Sequence, residues 1–107
     1  MTLNIYQETG SFPKAELYGL VSQMRRCSAS IGANIAEDCG RSNNGDLQRF
    51  LQTAMGSASE LEYHLLLSCD LNYLPNERYF ALNKQLAEVK RMLVALTRKV
   101  AIDRVRV

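Results

Sequence analysis

The sequence predicts an all-α fold: an up-and-down antiparallel four-helix bundle with a short first helix. Three observations carry this. Apolar residues recur at steps of three and four through three long stretches, which is a helical period and not a strand period. Breaker clusters at 10–13, 40–45 and 70–76 separate those stretches by only a few residues, and short connections make neighbouring helices antiparallel. Apolar residues make up 47% of 107 positions, enough for one packed core without metal or disulfide staples. One domain, 1–107, is therefore expected.

The chain opens with Leu3, Ile5 and Tyr6 as apolar anchors, in a stretch that only packing can hold as a helix. Gly10-Ser11-Phe12-Pro13 breaks it. Ser11 is a candidate N-cap and Pro13 suits the first turn of the next helix, with Glu16 in the early turns where the helix dipole favours an acid. The second helix is expected from about Pro13 to Cys39, with the stripe Leu17, Leu20, Val21, Met24, Cys27 or Ser28, Ile31 and Ile35. Two interior glycines, Gly19 and Gly32, each cost about 1 kcal/mol relative to alanine. Gly32 leaves three readings open: tolerance, a kink, or close approach of another helix.

Gly40 can end this helix and Asn44 can cap the next, which runs to Cys69 or Asp70. Its stripe is Leu47, Phe50, Leu51, Ala54, Ala58, Leu61, Leu65 and Ser68 or Cys69. The small residues Ala54, Gly56, Ser57, Ala58 and Ser59 at its middle permit a second helix to lie close. After the break at 70–76, Tyr79, Leu82, Leu86, Val89, Leu93, Leu96 and Val100 alternate steps of three and four, the seam of a bundle helix. The tail from Asp103 to Val107 alternates polar and apolar residues, leaving frayed end, helix extension and edge strand all open.

The net charge of +2 hides an asymmetry. Residues 1–40 carry three basic against four acidic side chains and 41–70 two against four, whereas 71–107 carry eight against three. Lys84, Lys90, Arg91, Arg98, Lys99, Arg104 and Arg106 make the last helix the strongest functional signal, since lysine and arginine neutralise phosphates with release of counterions. A solvated outer face with partners such as Glu88 is the bland alternative. No recognition helix or stacking platform points to base-specific readout.

Several chemistries find no support. His64 is the one histidine and lies four residues after Glu60, where a di-metal bundle site needs two Glu-x-x-His motifs. Cys27, Cys39 and Cys69 form no CxxC pair, so no zinc motif is present, and they read as reduced cytosolic thiols. Ser28, Ser30 and Ser57 have no second histidine as a base, and no glycine-rich phosphate loop occurs. No cofactor is expected. There is no run long and apolar enough to span a membrane and no signal-peptide pattern at Met1–Gly10, so a cytoplasmic protein is expected.

Two blocks, then a run of further matches, resemble a known family. Phe12-Pro13-Lys14, Glu16 to Leu20 and Gln23 to Arg26 form the first. Ser28, Ser30-Ile31, Asn34 to Glu37 and Gly40-Arg41 form the second, and Phe50-Leu51, Ala54, Gly56-Ser57, Glu60 to Glu62, Leu71 and Tyr73-Leu74 continue in order. The chain thus resembles the bundle proteins encoded in intervening sequences of bacterial 23S rRNA genes, and is similar to the accessory variability protein of diversity-generating retroelements. The resemblance implies four antiparallel helices, assembly as a ring of copies (a homopentamer), a cytosolic location and no known reaction. It also implies nucleic-acid or nucleoprotein binding through a basic surface. Asn34, Glu37, Arg41, Arg49 and Glu60 match the family motif and are expected to form a structural polar network, with Glu37 and Arg41 one helical turn apart. The sequence departs from the family pattern in its short opening, its lack of tryptophan, Gly32 in place of a proline, and a loop at 42–45 without lysine.

Three readings follow. The first is a non-enzymatic oligomeric bundle that binds nucleic acid, or a nucleoprotein, through charge. The second is a structural or protein-interaction module. The third, an enzyme with a polar pocket around Glu37 and Arg41, has the least behind it.

Overall fold

The computed structural model describes the backbone over 1–39 and 44–105 and the side chains over 1–34 and 46–102. Helices α1 (Thr2–Thr9), α2 (Ser22–Cys39), α3 (Asn44–Asp70) and α4 (Asn76–Val105) follow in order, and no strand occurs among the described residues. The molecule is a slab of 51 × 23 × 17 Å with α3 at its centre, packed along α2 on one side and α4 on the other. The last helix continues through the alternating tail as far as Val105.

The core face of α3 is set by Leu51, Ala54, Ala58, Leu61, Leu65 and Ser68, all buried and spaced by alternating threes and fours. Met24, Cys27 and Ile31 of α2 and Leu82, Leu86, Leu93 and Val100 of α4 pack into the same core, with Ile5 of α1 and with Phe12, Leu20, Val21 and Leu74 from the connecting segments. Ala54 and Ala58 are fully buried at mid-helix, and Ser57 beside them meets Ser30 of α2. Gly32 and Gly56 do not take part: a Cβ at either would meet no neighbour within 4 Å. Close approach at Gly32 is therefore not realised within the protomer.

The expected single helix from Pro13 to Cys39 is interrupted. Residues Lys14–Glu16 form a 3-10 turn and Leu17–Val21 a π turn, and the backbone leaves helical geometry at Gly19 (φ −102°, ψ −105°). A residue without a Cβ permits that departure. The offset buries Leu20 and Val21 but turns out Leu17 and Tyr18, the latter 90% exposed, so Leu17 drops out of the expected stripe. Ser11 does not cap this segment; its hydroxyl donates back to Glu8 O of α1 at 3.0 Å.

Helix α1 is held across the groove between α2 and α4. Arg25 of α2 donates to Thr9 Oγ1 (3.0 Å) and lies over the Tyr6 ring, while Thr2 donates to Ser28 O (3.4 Å). On the other flank Asn4 donates to Gln85 (3.2 Å) and Glu8 pairs with Arg78. The 70–76 turn closes α3 with Asn72 in the left-handed region (φ 63°), a conformation asparagine tolerates. Tyr73 N bonds Ser68 O there (3.0 Å), and the Phe12 and Tyr73 rings meet at 5.6 Å.

Candidate functional site

The basic residues of α4 divide by face. Lys84, Arg91 and Arg98 are seven residues apart, so they form one line on the helix, each about 10.5 Å from the next at 1.5 Å rise per residue. All three are exposed, as is Lys99, and none makes an ion pair with a described residue. Glu88 does not pair with Lys84 or Arg91, which the solvated-face alternative asks for. Lys90, by contrast, is turned toward α3 and bonds Glu62 through both carboxylate oxygens at 3.3 Å. It belongs to the helix contact and not to the free line. The side chains of Arg104 and Arg106 lie outside the described residues.

The expected polar network divides. Asn34 donates to Ser30 O (2.8 Å) and Ser30 Oγ (3.1 Å), and Ser57 of α3 donates to the same Ser30 hydroxyl (3.0 Å). Ser30 is thus the hinge of a small-residue contact that ties α2 to α3. Arg49 is not part of it; it pairs loosely with Asp46 on its own helix at 3.5 Å and lies beside the Phe50 ring. Glu60 is three turns away along α3 and accepts a 2.8 Å bond from Arg26 of α2. The reason is spacing: residues 49 and 60 share a helix and sit about 16 Å apart along it, so no single cluster holds both. Glu37 and Arg41, the other expected members, have side chains outside the described residues.

Around Glu60 the structure assembles a group that the sequence reading missed. Cys27 of α2 and His64 of α3 stand beside it, and Arg26 Nη2 lies 3.7 Å from Cys27 Sγ. Burial first, and then the Glu60 carboxylate, push the Cys27 thiol up to about 11. Glu60 is held below the usual carboxylate range by the Cys27 thiol that bonds it and then by Arg26. The i, i+4 relation of Glu60 and His64 is visible in the sequence. Cys27 is not connected to them there, because only the packing register of α2 on α3 brings it in. Cys69, also free, donates its thiol to Asn76 at 3.1 Å.

Residues 1–95 match the 23S rRNA-intervening sequence protein family. The chain belongs to that family. A crystal structure of a protein with unknown function from the S23 ribosomal protein family of Bacteroides thetaiotaomicron is similar, with a TM-score of 0.79 and 27% identity over 90% of this chain and 87% of that one. Comparison with curated proteins gives no match. For a member of this family the helical architecture is thus expected and found, and no described helix is long and apolar enough to cross a membrane. The descriptions of the family and of the solved structure state no reaction, so the reading of the surface rests on its chemistry.

Proposed function

We propose that this 23S rRNA-intervening sequence family member is a non-enzymatic, cytoplasmic, homo-oligomeric bundle, most simply a pentameric ring, that binds RNA or DNA through the outer face of α4. The observation that carries this is the exposed line Lys84–Arg91–Arg98, with Lys99 beside it, none of them in an ion pair with another described residue. Unpaired cations on a rigid helix cost no competing ion pair when they meet phosphates, and each neutralised phosphate releases counterions. The contrast with Lys90, spent on Glu62, separates the binding face from the packing face. A ring would repeat the line around its axis, and linked repeats raise avidity without any new contact. Nothing in this arrangement reads base edges, so binding is independent of sequence.

Filter binding of RNA and of duplex DNA at low and at moderate salt tests the proposal. Four cations per protomer on duplex DNA give a slope of log K against log salt of about −3.6. Absence of binding at low salt, or binding that salt does not weaken, would reject it. The protein-interaction reading draws on the exposed Met92, Leu96 and Ile102 of α4. It is favoured over the first if the protein co-purifies with a protein partner that survives nuclease treatment while nucleic acid fails to bind.

A further inference from the structure

The group around Glu60 has no part in phosphate binding, and one feature of it is unusual. Both ring nitrogens of His64 are shielded from solvent and have no hydrogen-bond partner. Nε2 lies 3.5 Å from Glu60 Oε1, an ion-pair distance too long for a good hydrogen bond. A buried imidazole normally bonds through at least one nitrogen, since a polar group removed from water without a partner is destabilising. The side chain is only 15% exposed, so water has little access to it.

What stands next to those nitrogens is a set of metal-ligand atoms. One each from Cys27, Glu60 and His64 lie within 4.8 Å of one another. A tetrahedral zinc ion with bonds of about 2.0–2.3 Å spaces its ligand atoms roughly 3–4 Å apart. The His64–Glu60 separation of 3.5 Å is already in that range. The widest separation in the group closes by a side-chain shift of about 1 Å. Thiolate with imidazole selects a borderline-soft ion over calcium or magnesium, which take oxygen ligands.

We propose that Cys27, Glu60 and His64 form a Zn²⁺ site that joins α2 to α3, with a fourth position open at the exposed Glu60 edge. As the sulfur–zinc bond forms, the Cys27 proton passes to solvent. His64 supplies the nitrogen that now has no partner. Glu60 Oε1, which faces His64 Nε2 at 3.5 Å and accepts from Arg26 at 2.8 Å, turns onto the ion while Arg26 passes to Oε2, as an outer partner of the kind that orients a ligating carboxylate. The site is separate from the α4 cation line and stands or falls independently of nucleic-acid binding.

The test uses the 107-residue protein, stripped with chelator and kept in a reductant that carries no thiol. It is titrated with Co²⁺ as a spectroscopic probe and then with Zn²⁺ as competitor. The expected result is one Co²⁺ per protomer, with a thiolate-to-metal charge-transfer band and tetrahedral d–d bands, all removed by Zn²⁺. Cys27→Ser loses the charge-transfer band, and Cys69→Ser keeps it. His64→Ala weakens binding by more than the tenfold to hundredfold that loss of an outer partner costs. Circular dichroism checks that each variant is helical. The proposal is overturned by a wild-type protein that takes up neither ion, by Co²⁺ spectra without a thiolate band, or by a band that survives Cys27→Ser. The wild-type spectrum decides even if a variant does not fold.

Discussion

The two halves of α4 obey one spacing rule and meet different surroundings. Leu82 and Leu86, in the half that α1 crosses, are sealed from water, whereas Leu96, on the same alternation of threes and fours, is 41% exposed. Leu93 and Val100 stay buried in the core, so the difference is confined to one flank of the helix. Helix α1 meets that flank only near its start, where Glu8 pairs with Arg78 and Asn4 bonds Gln85, and Met92 and Leu96 lie farther along the same side. Period alone tells which face of a helix is apolar; it does not tell how far a neighbour extends to cover it.

That comparison can be broken at its strongest point first. Leu86→Ala should cost about 2–5 kcal/mol in urea unfolding, the range for emptying a packed site. At protein concentrations where copies are apart, Leu96→Ala should cost less than about 1 kcal/mol, because its surroundings are already wet. Equal losses would mean that the two halves are equally covered. The next test asks what covers the open flank. If copies of the chain do so, Met92→Asp with Leu96→Asp weakens self-association at least tenfold, about 1.4 kcal/mol, seen as a fall in light-scattering mass toward the 12.1 kDa protomer. A wild-type protein that is monomeric throughout removes the oligomer from the account.

Smaller effects sharpen the contrast between the helix contacts and the surface. Ser30→Ala removes a hydroxyl that accepts from both Ser57 and Asn34, and should cost about 1 kcal/mol in the same unfolding assay. Arg49→Ala should change stability by no more than about 0.5 kcal/mol, because its pairing with Asp46 is loose and on the surface. A large loss at Arg49 would restore it to a structural network.

Most of the fold was legible in the sequence. The α3 stripe from Leu51 to Ser68 and the breakers at 40–45 and 70–76 placed three long helices, because period and turn chemistry are local properties. The π turn at Leu17–Val21 was not legible: Leu17, Leu20 and Val21 fit a continuous helix equally well, and only Gly19 hinted otherwise. The site was legible in part. Lys84, Arg91 and Arg98 were named from charge, but charge alone could not separate them from Lys90, whose Glu62 partner sits on another helix. Arg49 and Glu60 belong to one motif but stand three turns apart on α3. Cys27 and His64 form no ligand motif in the sequence, because their meeting depends on how α2 docks on α3, a long-range fact that spacing along the chain does not carry.

The central claim is that the outward line of α4 binds phosphate while its inward lysine holds the bundle. The most direct measurement is the salt dependence of duplex DNA binding for the wild type and for a Lys84→Gln, Arg91→Gln, Arg98→Gln triple variant. The account predicts that the slope of log K against log salt becomes shallower by about 2.7 in the variant. Equal slopes, or a wild type that does not bind, would contradict it.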